Sequence, residues 1–228
     1  MGTSTARRAP TTRLWRQAKV TTVRYFSPEN PHSIEAREVV ARYVAAFAAG
    51  LDQESGGVLA AFRLTRRIAR KLGQFCQAKA PEFSVTSELS RPRSEAPLAA
   101  AHMIASTWLE ADGGLEAAAL RPALVQELAE VIQQRYEPSR AVKKFLAAAL
   151  YHRLVFDLGE PLEGAAAGWR HLVDGLAGIE KEIVNAAKAQ GSTVPPPEDW
   201  QGLEGWLWVT QALKEMLEQF SMDNSTKK

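Results

Sequence analysis

The chain has 228 residues, of which 46 % are hydrophobic and 24 % are charged, with a formal net charge of +2 at pH 7. This length and composition are ordinary for a globular protein that buries a core of its own. The one cysteine, Cys76, excludes an internal disulfide and favours a reducing, cytoplasmic environment. No apolar run approaches the roughly 20 residues that a membrane span requires, so we expect no membrane partner.

The two parts of the chain carry opposite charge. Residues 1–100 contain 16 Lys and Arg against 8 Asp and Glu, whereas residues 101–228 contain 12 against 18. This split favours a basic surface that meets an acidic partner or nucleic acid. It is equally well explained by two halves that face each other, or by charges that are only solvated.

The amino-terminal segment combines a small second residue with a run of basic side chains. Gly2 allows methionine aminopeptidase to remove Met1 and expose a glycine amine. No apolar segment follows, so the segment is not a secretory signal, and Ala6 breaks the myristoylation pattern. Between Met1 and Arg24 there is no acidic residue, and the basic ones are Arg7, Arg8, Arg13, Arg16, Lys19 and Arg24.

Residues 1–26 are therefore predicted to form a mobile basic arm. Thr11 or Thr12 is expected to cap a short helix over about residues 13–20. The Pro-containing stretch 27–31 then interrupts the chain. The expected domain organisation is this arm, a helical core over 27–190, and a carboxy-terminal part over 191–228 with a Pro spacer, a Trp-rich helix and a frayed tail.

A basic stripe lies on the best-defined amphipathic segment, predicted as one helix over about residues 58–79. At about 100° per residue, its apolar residues share one side of the helix. The opposite side carries Arg63, Arg66, Arg67, Arg70 and Lys71. These cations repel one another, so they need solvent, a phosphate backbone, an acidic protein surface or the acidic second half of the chain.

The remaining helices follow apolar residues at three- and four-residue spacing. They are predicted over about 33–49, 98–110, 116–135, from Pro138 to a stop at 159–161, over 162–189 and over 201–220. Trp169 and Met103 are placed on buried faces. Trp206 and Trp208 cannot share one helix face, so one of them is expected to contact a neighbouring element or a partner. The fold class is all-α, a single bundle-like domain of seven or eight helices.

No constellation of catalytic or metal-binding residues stands out. The four histidines are scattered, and none has a second ligand at zinc-site spacing. Cys76 falls on an apolar helix face, where a free thiol behaves as a small hydrophobic residue. We therefore expect a protein that is not an enzyme and that holds no metal.

The opening residues Met1, Gly2, Thr3 and Ser4, followed by a polar Pro-containing stretch and Trp15, resemble the start of the B component of the Qat bacterial anti-phage systems. The resemblance implies a non-enzymatic component of a defence operon, with a QueC-like modifying enzyme and an ATPase as operon partners. It implies that Gly2, Thr3 and Ser4 are recognised or modified, with a covalent deazaguanine-type base on Gly2 in place of a cofactor. Partners would read the arm through Arg7, Arg8, Arg13, Trp15 and Arg16.

The alternative hypothesis is a helical nucleic-acid-binding module. In that case the basic arm and the stripe over residues 63–71 would bind phosphates, with steeply salt-dependent affinity.

Overall fold

The computed structural model describes residues 12–27, 34–49, 57–78, 96–110, 114–134, 137–189 and 195–221. Within these ranges the chain is all-α, with nine helices and no strand, which confirms the predicted fold class. None of the helices there is long and apolar enough to cross a bilayer. The helices are α1 (Arg13–Phe26), α2 (Ala36–Ala49), α3 (Gly57–Ala61), α4 (Arg63–Gln77), α5 (Ala96–Leu109), α6 (Leu115–Gln133), α7 (Pro138–Ala165), α8 (Trp169–Ala189) and α9 (Leu203–Glu218).

The helices belong to two compact units. Unit 1 takes the chain up to Ala61, then Leu158–Ile179 and the residues from Phe220 on. Unit 2 takes Phe62–Asp157 and Glu180–Gln219. Each unit thus gathers segments that are distant in sequence. The boundaries expected after residues 26 and 190 do not coincide with the limits of either unit.

Helix α1 belongs to the core of unit 1 and is longer than predicted. Thr12 caps it as expected, since its Oγ1 accepts a hydrogen bond of 3.2 Å from the Trp15 N–H. The helix runs beyond residue 20 to Phe26 because Trp15, Ala18 and Phe26 are buried and α1 packs along α2. It ends at Ser27, directly before a proline. The first eleven residues of the predicted arm lie outside the described residues.

A second contact holds the end of α1 inside unit 1. The hydroxyl of Tyr25 donates a 3.2 Å hydrogen bond to the carbonyl of Gly175 on α8. Phe26 lies so close to Gly175 that a Cβ at this position would overlap its ring. The glycine therefore permits a close approach of α1 to α8 that any larger residue would prevent.

The helix predicted over 58–79 is interrupted at Phe62, which separates α3 from α4. Phe62 has φ −104° and ψ 27° and is buried, so its side chain contributes to the core while its backbone leaves helical geometry. Phe62 provides no side-chain cap for α4. Instead, the N–H and hydroxyl of Thr65 both donate to Glu116 Oε1 of α6 at 3.0 Å. Glu116 thus places a negative charge at the amino end of α4.

The predicted stop at residues 159–161 is wrong, because α7 continues through Pro161 to Ala165. Leu158 and Leu162, on either side of this stretch, are fully buried. Their burial outweighs the cost of a proline inside a helix, about 3 kcal/mol. The chain turns instead at Gly168, whose φ of 152° favours glycine.

Two predicted apolar faces are wrong in part. In α5, Met103 is 60 % exposed, whereas Ala101 and Ala105 are fully buried. Helix α5 packs on α6, and its buried residues are the small Ala100, Ala101 and Ala105 together with Leu109. In α8, Trp169 is 79 % exposed, while Ile179 further along the helix is buried as predicted.

Trp200 anchors α9 to α4 in unit 2. Its side chain is 1 % exposed, and its ring lies edge-on to Trp208 with the centroids 5.2 Å apart. A Cβ on Gly73 of α4 would overlap the Trp200 ring. A Cβ on Gly205 of α9 would overlap the Trp200 backbone. The packing of this tryptophan therefore depends on two glycines from different helices.

Gly73→Ala is expected to destabilise the protein by about 1–3 kcal/mol, because the added methyl group would force the buried Trp200 ring to move. Gly159→Ala is the matched control, since a Cβ there meets nothing within 4 Å. This control should leave stability unchanged or raise it slightly, because alanine favours helix. Chemical denaturation followed by circular dichroism measures both, and equal stability of the two variants would contradict the packing described.

Candidate functional site

A strongly charged groove of unit 1 runs between α1 and α2. Its volume is about 530 Å³. Most of its lining comes from successive turns of α1, and α2 and the residues before it close the other side. The residues that line it are Arg13, Arg16, Gln17, Val20, Thr21, Arg24, Ile34, Glu38 and Arg42. We call this the cationic groove.

The charge of the cationic groove is unbalanced, with four arginines and one glutamate among its described lining residues. Arg13 and Arg16 stand near the amino end of α1, where the helix dipole is positive and where the first turn holds no acidic residue. Cations at this end of a helix are unfavourable, typically by 0.3–1 kcal/mol each. The groove therefore collects positive charge at some expense of helix stability.

Arg42 is held loosely within the protein. Its Nη2 lies 3.5 Å from Glu38 Oε1, one helical turn away. This distance exceeds the usual length of a charge-assisted hydrogen bond. The Nε of Arg42 is buried and has no hydrogen-bond partner in the described part of the chain. The side chain is about one-third exposed, so an added anion could reach the accessible part of the guanidinium group but not its Nε.

Trp15, predicted as a partner-binding residue beside Arg13 and Arg16, is placed differently from them. The two arginines are exposed and line the cationic groove. Trp15 is only 6 % exposed, and its ring lies 5.9 Å from that of Tyr43 on α2. Its side chain is thus part of the core of unit 1 and not of the surface that the arginines form. Gly2, Thr3, Ser4, Arg7 and Arg8 lie outside the described residues.

The stripe predicted over residues 63–71 does not form one solvent-facing row. Arg66 is 8 % exposed and donates from Nη1 to Thr210 Oγ1 of α9 at 3.1 Å. Its guanidinium carbon lies 4.1 Å from the centroid of the Trp206 ring, a cation–π contact. Burial lowers the pKa of Arg66, although Glu116 acts in the opposite direction. Arg66 therefore joins α4 to α9.

Arg70 makes further contacts of the same kind. Its Nε donates to the Trp200 carbonyl at 3.0 Å, and its Nη2 donates to the Gly202 carbonyl at 3.3 Å. These bonds satisfy carbonyl groups of the segment that precedes α9. The Trp206 ring of α9 lies beside the guanidinium groups of both Arg66 and Arg70 on α4, and Trp208 is buried. Trp206 is therefore the tryptophan of the pair that contacts these arginines of a neighbouring helix.

The other three cations of the stripe remain nearer to solvent. Arg63 and Arg67 are exposed. Lys71 is half-buried, with its Nζ 5.9 Å from the centroid of the Trp108 ring. The structure thus divides the predicted stripe into two arginines that stabilise the α4–α9 contact and three cations near the surface.

Arg66→Gln is expected to destabilise the protein by about 1–3 kcal/mol, because the hydrogen bond to Thr210 and the stacking on Trp206 are lost. Arg63→Gln removes an equal charge from an exposed position of the same helix and should change stability by less than about 0.5 kcal/mol. Thermal unfolding of both variants makes the comparison. Equal losses would show that the charge, and not the buried contact, determines the effect.

A buried carboxylate lies in the core of unit 2. Glu127 of α6 is 3 % exposed, and its Oε2 is 3.7 Å from Lys144 Nζ of α7. The same ammonium group forms a closer ion pair with Glu130. Burial raises the pKa of Glu127 to about 7, against the opposing effect of Lys144. The carboxyl group therefore changes charge near neutral pH.

The raised pKa of Glu127 gives a defined dependence of stability on pH. Between about pH 4.5 and 7 the folded chain binds this proton more tightly than the unfolded chain does, so unfolding becomes easier as the pH rises through this window. Glu127→Gln, which is neutral throughout, should therefore gain stability relative to the wild type from pH 4.5 to 7, with a constant difference above that range.

Denaturation curves at a series of pH values test this prediction. Glu204→Gln removes an exposed carboxylate of the same unit and controls for the loss of one negative charge. A difference between wild type and Glu127→Gln that does not vary between pH 4.5 and 7 would contradict the raised pKa.

The thiol and the described histidines do not assemble into a catalytic group. Burial raises the pKa of Cys76 to about 12, with a further contribution from Glu127, so the thiol stays protonated at neutral pH. Burial lowers the pKa of His152, whose ring lies edge-on to Tyr151. Among the described residues, no three His, Cys, Asp or Glu side chains are placed to hold a metal ion.

A second groove, on unit 2, has a different character. It has a volume of about 530 Å³ and lies between α5 and α6. Exposed Leu98 lines it together with His102 and Arg121, and most of its remaining surface is apolar. This lining suits an apolar contact and offers little for proton transfer or anion binding.

Sequence reasoning missed three charged members of the cationic groove, namely Arg24, Glu38 and Arg42. Arg24 lies on the same face of α1 as Arg13 and Arg16, at about 100° per residue. A prediction that extended α1 beyond residue 20 would have found it. Arg42 and Glu38 come from α2, and no local pattern reveals which face of α2 meets α1.

Comparisons with protein-family models, curated proteins and solved structures find no match to this chain.

Proposed function

We propose that this protein is a non-enzymatic component of a bacterial anti-phage defence operon, whose processed amino terminus is recognised or modified by a QueC-like partner enzyme. The acceptor in this proposal is the amine of Gly2 after removal of Met1, and Thr3 and Ser4 complete the recognition motif. The operon ATPase is the second expected partner. The cytoplasm, where all these components would meet, is the proposed location.

The observation that carries the proposal is the position of the motif relative to α1. Gly2 is ten residues from Thr12, which caps a helix whose Trp15 side chain is buried. Ten residues span at most about 35 Å when fully extended. An enzyme that engages Gly2 therefore works close to α1, and the exposed Arg13 and Arg16 offer it a basic surface. Arg7 and Arg8 lie between the acceptor and that surface in sequence.

The role of Trp15 in this proposal follows from its burial. Instead of entering a pocket of the partner, the ring fixes the start of α1 against Tyr43. The tryptophan thus supports recognition indirectly, by holding the helix that presents Arg13 and Arg16. Nucleic-acid binding through the 63–71 stripe is less well supported, because Arg66 and Arg70 are engaged within unit 2.

Intact-mass spectrometry of the protein purified from its native operon tests the proposal. The expected result is loss of Met1 together with an added mass on Gly2 that disappears when the gene for the QueC-like neighbour is deleted. Gly2→Leu should abolish the addition, because a large second residue retains Met1 and blocks the amine. Thr5→Ala, just outside the motif, is the matched control and should keep it.

Deletion of residues 2–5 provides the functional readout. It should abolish phage protection and leave the helical circular dichroism spectrum unchanged, because α1 and its cap begin at Thr12. A terminus that has lost Met1 and carries no addition, or a deletion variant that protects as well as the wild type, would overturn the proposal.

A further inference from the structure

We propose that the cationic groove between α1 and α2 binds a nucleoside polyphosphate, with the phosphates on the arginines and the nucleoside on the apolar surface around Val20. This inference does not depend on the modification of Gly2, because it rests only on residues of the groove.

The groove is large enough to hold a small ligand. A volume of about 530 Å³ falls within the range of about 300–1,000 Å³ that is typical of small-molecule sites. The lining is concave and includes both charged and apolar side chains. Val20 is 50 % exposed although it lies among arginines, and Ile34 lies on the lining with it. These two side chains provide apolar surface for the nucleoside.

The chemistry of the groove favours phosphate as the anionic group. All four cations are arginines, whose planar guanidinium groups bind two phosphate oxygens at once. On α1, Arg16 and Arg24 are separated by about 12 Å along the helix axis, at 1.5 Å per residue. Long side chains from both positions and from Arg42 of α2 can therefore converge on a chain of phosphates from different sides.

An anion bound in the groove offsets unfavourable interactions within unit 1. Arg13 and Arg16 repel each other and oppose the dipole at the amino end of α1, and a phosphate between them adds attraction both to the arginines and to the dipole. The guanidinium group of Arg42 is partly exposed, and its Nη2 lies 3.5 Å from Glu38 Oε1. A phosphate can accept from this guanidinium group more closely than Glu38 does.

Glu38 gives the proposal a test of opposite sign. As the one carboxylate among the described lining residues, it competes with an anionic ligand for Arg42. Its removal should therefore strengthen binding, whereas removal of an arginine should weaken it. A purely structural effect of these substitutions would not produce changes in opposite directions.

Isothermal titration calorimetry of the full chain with adenosine triphosphate provides the measurement. One site per chain is expected. Arg24→Gln and Arg42→Gln should each weaken binding by about tenfold or more, because each removes a charge-assisted hydrogen bond. Glu38→Gln should strengthen binding severalfold. Arg170→Gln, which removes an exposed cation of unit 1 outside the groove, should leave the affinity unchanged.

Two further ligands test whether the groove prefers a nucleotide to free triphosphate or to a nucleic acid. Inorganic triphosphate should bind more weakly than adenosine triphosphate, since it lacks the nucleoside; equal binding would overturn the role of Val20. A twelve-residue thymidine oligonucleotide should bind no more tightly than the nucleotide. Preferential binding of the oligonucleotide, an Arg170→Gln loss equal to that of Arg24→Gln, or absence of nucleotide binding near 50 mM salt would each overturn the proposal.

Discussion

The architecture of unit 2 depends on the burial of Trp200. Its ring occupies a space on α4 that exists because residue 73 is glycine, and its backbone approaches α9 where residue 205 is glycine. Its carbonyl accepts a hydrogen bond from Arg70, so the same residue fixes an arginine of α4. Trp200 contributes to holding α9 against α4, together with the hydrogen bond of Arg66 to Thr210 and its contact with the Trp206 ring.

Arginine serves two physical purposes in this chain. In unit 2, Arg66 and Arg70 pack against aromatic rings and donate hydrogen bonds to Thr210 and the Trp200 carbonyl, so both guanidinium groups make contacts within the unit. In unit 1, Arg13 and Arg16 remain exposed at the end of a helix that would be more stable without them. Side chains that lower local stability are expected mainly at functional sites. A bound ligand would therefore explain why these two arginines are present.

Features of the fold that depend on residues close together in sequence could be predicted, and features that depend on distant residues could not. The cap at Thr12 and the all-α fold class follow from short-range patterns, and both are confirmed. The passage of α7 through Pro161 and the burial of Arg66 depend on residues far away in sequence, which no local periodicity reveals. The cationic groove was not predicted as a site. Arg13 and Arg16 were expected to bind a partner, whereas Arg24 lay beyond the predicted helix and Arg42 comes from another helix.

The protonated state of Cys76 has a practical consequence for attaching a dye near the amino terminus. Burial raises the pKa of this thiol to about 12, so it is protonated at pH 7, and maleimide reagents react with the ionised form. Since the chain has no other cysteine, a cysteine introduced near the amino terminus would be labelled almost exclusively. The native tryptophans and such a dye would then report the distance between that segment and the helices.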